Sequence, residues 1–295
     1  MKIVQITDTH NSAHGGISNE NLVKMIEFVN ELEPDLVVHT GDVSILDPDN
    51  EADRATAARL LGELKAPLRV LPGNHDIGEP GEAPIGGAGV TSARVAAFRA
   101  VFGDDRWVEY IGGFSVVGFN SELMSSGLPE EEEQWAWLES LPAQLEGRPT
   151  IIFCHKPVHA PAPGLPASTY SIAPQSLDRL RSIVDNIDVQ AFGSGHLHRW
   201  ALEFHDGVQS ISAPSTAFVY PGVEGQFGPS LSQLGIVEYQ LTEDGGVTPF
   251  FRARPDLAEH YAVNVDTLRL ALEEMGIDMS TLDITVRDVL RIAGF

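Results

Sequence analysis

The chain has 295 residues, 43% of them hydrophobic, enough to bury a sizeable core in one large domain or in one domain with an appendage. Forty-two Asp and Glu against 19 Lys and Arg give a formal charge of −23, a field that repels phosphate backbones and argues against general nucleic-acid binding. No apolar run approaches the roughly 20 residues of a membrane-spanning helix, the start MKIVQITDTH turns polar too early for a signal peptide, and the single Cys154 cannot form an internal disulfide, so a soluble, cytoplasmic protein with no membrane partner is expected.

Short Val- and Ile-rich runs alternate with helical patterns, which predicts a layered α/β architecture. KIVQIT is the first strand, and Ser18 is placed to cap a helix whose Leu22, Met25, Ile26 and Val29 recur on one face. DLVVHT follows as a strand, NEADRATAARLLGEL as a helix presenting Ala57, Leu60, Leu61 and Leu64, and PLRVLP as a third strand. The Gly- and Pro-rich residues 79–89 predict a loop, and FSVVGFN a fourth strand. Pro129 opens a helix over EEEEQWAWLESL, whose glutamates suit the positive end of a helix dipole or simply a solvated face.

TIIFC and VQAFGS are two further strands, separated by a helix carrying Leu177, Leu180 and Val184. From Trp200 to Arg252 the period shifts toward two, with VQSISA, LGIVEYQL and TPFFRA separated by turns at Asp206-Gly207 and Gly245-Gly246. A second sheet is expected there. After Pro255 come two short amphipathic helices, one ending at Gly276 and one following Thr285, which divides the chain into residues 1–255 and a helical extension of 256–295. The stripe Leu268, Leu272 and Met275 favours packing of this tail on the body; the alternative is a partner surface through which copies of the chain associate.

Polar chemistry follows five of the apolar runs: Asp8 and His10, Asp42, Asn74 and His75, His155, then His196 and His198. In open α/β sheets the crevice outside the carboxyl ends of strands gathers such residues in one place. Carboxylate, imidazole and amide without thiolate form a hard-to-borderline ligand set suited to Mn, Fe, Co or Zn. Cys154 should face away from His155 by strand alternation, into the core. Singly, each Asp would read as a turn former and each His as a surface or core residue; five compatible endings point to a shared metal site.

The blocks DTH, GD, GNHD, CHKP and GHLH, in this order over about residues 1 to 250, resemble the calcineurin-like metallophosphoesterase family, in motif style its cyclic-nucleotide and glycerophosphodiester phosphodiesterase branch. The resemblance implies a four-layer α/β/β/α sandwich with two mixed sheets and a pair of metal ions. It assigns Asp8, His10 and His198 to one ion, Asn74, His155 and His196 to the other, and Asp42 to both. A hydroxide bridging the ions would attack the phosphorus of a small organic phosphodiester. His75 is left to face the leaving oxygen as a proton donor or charge stabiliser, with Asp76 either orienting it or serving as a turn residue. Asn120, His14, His159 and Arg199 are candidate substrate contacts, whereas His39, His205 and His260 are expected to be structural or on the surface. Many relatives carry an Asp three residues after the GD aspartate; here Ile45 stands there, with Asp47 two further on, which puts the local loop geometry in question. Phosphomonoester hydrolysis and nuclease activity are alternatives within the fold. A catalytically silent scaffold is disfavoured because all seven ligand positions and His75 are filled.

Overall fold

The computed structural model describes residues 1–81, 89–159, 170–219, 231–259 and 266–276. Its first sheet has the order β11-β10-β1-β2-β3, formed by β1 (Lys2–Ile6), β2 (Leu36–His39), β3 (Leu68–Val70), β10 (Ile236–Leu241) and β11 (Val247–Arg252). β1, β2 and β3 run parallel, and Ile6 stands opposite His39, which stands opposite Val70, so the three strands end level. The second sheet, β4-β5-β6-β7-β9-β8, comprises β4 (Trp107–Ile111), β5 (Phe114–Gly118), β6 (Thr150–Phe153), β7 (Val189–Ser194), β8 (Ala201–His205) and β9 (Val208–Ser212). Gly118, Phe153 and Gly193 stand level across its parallel strands.

Side-chain alternation along β1 explains the layering. Val4 and Ile6 turn outward into a core with Leu22, Met25, Ile26 and Val29 of α1 (Ile17–Leu32) and Ala57, Leu60 and Leu61 of α2 (Glu51–Leu61). Ile3 turns inward, where Val38, Phe153, Ala191, Ile211 and Tyr239 fill the gap between the sheets. The outer face of the second sheet packs Ile152 and Phe192 against Trp135, Leu138 and Leu141 of α5 (Pro129–Leu145) and Leu180 and Ile183 of α6 (Pro174–Val184). Two mixed sheets between helical layers are therefore present, as the resemblance implies.

Several local expectations need correction. α1 begins at Ile17 with Gly16 at its cap, so Ser18 lies buried inside the first turn. α2 is capped by Asn50, whose side chain accepts the amides of Ala52 and Asp53. The helix α3 (Asn74–Ile77), α4 (Ser92–Phe102) and strand β4 have no counterpart in the periodicity reading. The strands after Trp200 do not form one separate sheet: β8 and β9 extend the second sheet, while β10 pairs antiparallel with β1 and brings β11 with it. Hairpin periodicity fixes which strands pair locally, not which open sheet edge receives them. The Asp206-Gly207 turn has positive φ at both residues, 52° and 88°, as a tight hairpin requires. In the tail, α7 (Asp266–Glu274) buries Ala271 and Leu272, and His14 pairs with Glu274 at 2.8 Å. The helix expected after Thr285 lies outside the described residues, as does the side chain of Leu268. Among the described residues no helix is long and apolar enough to cross a membrane.

Candidate metal centre

The level strand ends deliver their loops to one place. Among the described non-glycine residues nine have positive φ, and five of them are Asp8, His10, Asp42, His196 and His198. Such backbone costs free energy and persists where surrounding structure over-determines it, which marks a functional site. Glycines make the approach possible: a Cβ on Gly73 would lie 2.1 Å from Asp42 Oδ1, and one on Gly195 would lie 2.1 Å from Thr7 Oγ1. The loops after β1 and β2 stay laced together by Asp8 N–H to Gly41 O at 2.9 Å and His10 N–H to Asp42 O at 3.0 Å.

Two buried clusters result, Asp8 with His10 and His198, and Asp42 with His155 and His196, each with its donor atoms within 4.8 Å of one another. In the first, His10 Nε2 lies 3.1 Å from His198 Nε2, which lies 3.4 Å from Asp8 Oδ1. In the second, His155 Nε2 lies 3.2 Å from Asp42 Oδ2, 3.2 Å from His196 Nδ1 and 3.1 Å from Asn74 Oδ1. His196 and His198 thus belong to different clusters, with left-handed backbone at both residues.

Hydrogen bonds behind the histidines decide which nitrogen faces inward. His10 Nδ1 sits 3.1 Å from Ile45 O, His155 Nδ1 2.8 Å from Thr40 O, and His198 Nδ1 2.9 Å from Phe218 O. A carbonyl only accepts, so each Nδ1 carries a proton and each Nε2, the atom that can give its lone pair to a cation, points inward. Two facing lone pairs at 3.1 Å repel unless a proton or a cation lies between them. Donors bonded at about 2.1 Å to one ion stand about 3 Å apart, the spacing found here, so the residues fit a metal in both clusters.

The electrostatics agree. Burial and then repulsion by His198 hold His10 down to about 3. For Asp8 burial works upward, yet the charge and hydrogen bond of His198 together with the charge of His155 outweigh it and bring the carboxyl to about 2. Burial opposes charge on His155 as well, but Asp42 and Asp8 overcome it and raise that imidazole to about 10. The carboxylates that favour a proton on His155 also favour a cation in its cluster.

His75 lies beside the first cluster. Its ring lies 5.2 Å from that of His10, and its backbone N–H donates to Asp42 Oδ1 at 2.9 Å. The Asp76 carboxylate accepts the backbone amides of Gly73, Val43 and Ser44 at 2.9 to 3.2 Å, clamping the loop after β2 to α3. Burial and the nearby Asp42 raise it to about 7.

The expected substrate contacts fare differently. Asn120 is fully buried, donating to Asp105 Oδ2 at 2.8 Å and capping Glu122, so it serves the loop after β5. His14 lies outward against Glu274. His159 stacks on His205 with ring centroids 3.8 Å apart and packs edge-on against Phe192, on the outer face of the second sheet. Arg199, next to His198 in the sequence, is buried, with burial lowering its pKa against the pull of Glu203. Cys154 is a core residue as expected, its Sγ 3.1 Å from Lys156 O and its pKa raised by burial.

Gln5 escaped sequence reasoning, whereas His39, expected to be structural or on the surface, is structural. His39 is buried, accepts Gly41 N–H at Nδ1 (3.1 Å) and meets Thr9 Oγ1 at Nε2 (3.0 Å), joining the two loops that carry Asp8 and Asp42. Gln5 faces the gap between the sheets; a polar residue at an inward strand position is the signal that could have found it. The Ile45 position supplies a carbonyl to His10, so its missing carboxylate leaves the loop intact.

Comparison with known proteins agrees with this geometry. The chain is 27% identical over 225 residues to the serine/threonine-protein phosphatase CPPED1 of Danio rerio, covering 72% of this chain and 70% of that protein. It is 27% identical over 261 residues to the 3',5'-cyclic adenosine monophosphate phosphodiesterase CpdA of Escherichia coli K12, covering 84% and 88%. It is 26% identical over 240 residues to the glycerophosphodiester phosphodiesterase GpdQ of Enterobacter lignolyticus, covering 75% and 79%. The purple acid phosphatase PPD1 of yellow lupin shares the fold, with a TM-score of 0.60 and 15% identity over 88% of this chain, which spans about half (52%) of the lupin chain. Residues 1–200 match the calcineurin-like phosphoesterase family, and with the five motif loops converging as they do, the chain belongs to it.

Proposed function

We propose that this phosphoesterase is a binuclear phosphodiesterase acting on a small organic phosphodiester, of the cyclic-nucleotide or glycerophosphodiester type. The observation that carries the reading is the pair of buried donor clusters with inward lone pairs and a carboxylate in each. When bound, two divalent or trivalent ions lower the pKa of water and offset phosphoryl charge. The donor set suits Mn, Fe, Co or Zn. Asp8, His10 and His198 would hold one ion and His155, His196 and Asn74 the other, with Asp42 available to both. Asn74 adds a neutral donor, so a second ligand of charge is not forced on an already acidic pair. His75 holds a proton toward the leaving oxygen, while the Asp76 clamp keeps its turn in place. Arg199, the residue after His198, is the candidate cationic contact for an anionic substrate.

The diester reading draws on the likeness to CpdA and GpdQ along most of the chain; the likeness to a named phosphatase keeps the monoester reading alive. Metal analysis of the purified protein, followed by hydrolysis of bis(p-nitrophenyl) phosphate against p-nitrophenyl phosphate, separates them. Two ions per chain and preferred turnover of the diester are expected. Preferred turnover of the monoester overturns the diester reading, and no turnover of either with ions loaded favours a binding scaffold.

A further inference from the structure

Each cluster takes ligands from both sheets. Asp8 and His10 follow β1 and Asp42 follows β2 of the first sheet, whereas His155 follows β6 and His196 and His198 follow β7 of the second. The distance and register between the sheets therefore set both sites at once. Apolar packing in the gap does not fix register by itself, because it is non-directional. Hydrogen bonds do.

Gln5 supplies them directly beneath the clusters. Its Nε2 donates to Thr40 Oγ1 at 2.8 Å and to Ser194 O at 3.1 Å, and its Oε1 accepts Tyr239 OH at 2.6 Å. Both amide protons and the carbonyl are used, at a residue with 0% exposure. Thr40 follows β2 and Tyr239 lies in β10, so two bonds anchor the carboxamide to the first sheet while the third reaches β7 of the second. The carbonyl of Thr40 also accepts His155 Nδ1 at 2.8 Å. Ser194 stands between Gly193, where a Cβ would come 2.8 Å from Tyr239 OH, and Gly195, where one would come 2.7 Å from Asp8 Oδ2. The second sheet is thus stripped of side chains on the approach that Gln5 spans.

We infer that Gln5, anchored by Thr40 and Tyr239, is a positioning residue that pins the two sheets in the register both metal clusters require. The inference rests on the two-ion reading above. A group supporting metal ligands from behind affects affinity by about 10-fold to 100-fold. Because both clusters straddle the sheets, loss of the pin weakens both ions together.

The test titrates Co²⁺ into the metal-stripped full chain, reading affinities by calorimetry and ligand geometry by visible absorption, with far-UV dichroism and thermal midpoints in parallel. Gln5→Met is expected to keep the secondary structure, to bind both ions at least about 10-fold more weakly and to shift the cobalt bands. Thr40→Val should repeat the loss and Thr40→Ser, which keeps the hydroxyl, should restore near-parental affinity. Val116→Ala, a cavity in the same apolar gap away from the carboxamide, should lower the midpoint and leave the affinities unchanged. The inference is overturned if folded Gln5→Met binds both ions like the parent, if only one ion weakens, or if Val116→Ala weakens them equally. Should Gln5→Met not fold, equal affinities in Thr40→Val and Thr40→Ser overturn it. A parent chain that takes up no Co²⁺ instead sinks the two-ion reading itself.

Discussion

At the scale of single residues, the two neighbours Asn74 and His75 meet different partners. Asn74 turns its amide oxygen to His155, while His75 lies by His10 with its backbone tied to Asp42. His75→Ala is expected to retain both ions by metal analysis while kcat falls by about 10²- to 10⁴-fold; full activity on every substrate would remove His75 from the chemistry. Asp42→Ala is expected to lose the ions themselves. So is Gly73→Ala, because the added methyl would occupy the place of Asp42 Oδ1; unchanged metal content in that variant would show that the loop can yield. The donor types gathered in the two clusters were legible because few residue types can serve a metal, and they follow strands in a recurring order. What was not legible is how the imidazoles are held: Ile45, Thr40 and Phe218 contribute only carbonyls, which every residue has.

At the scale of elements, the parallel strands could be read from their apolar runs, and the polar residues after them from the abrupt end of each run. β4 was missed because Trp107–Ile111 mixes buried and exposed positions without clean alternation. The destination of β10 was missed because its two faces both meet apolar layers, Ile236 on one side and Val237, Tyr239 and Leu241 on the other. α2 offers a contrast between stability and chemistry. Its cap Asn50 lies outside both clusters, so Asn50→Ala should cost about 1 kcal/mol in denaturant unfolding and leave metal content and kcat untouched. A loss of ions in that variant would mean that α2 positions the site, against the geometry described.

At the scale of the molecule, ions bound in both clusters would tie the two sheets together at one end. Chelation should therefore lower the thermal midpoint, and Mn²⁺ or Co²⁺ should restore it; an ion at one hundred times its Kd contributes about 2.7 kcal/mol to the folded state. Equal midpoints with and without chelator would mean that the donors do not bind in the folded chain. The one thiol, Cys154, lies sealed in the second sheet's outer core. Maleimide dyes should consequently ignore the native chain, so a cysteine introduced at any chosen surface position becomes a unique fluorophore attachment point without first deleting the natural one.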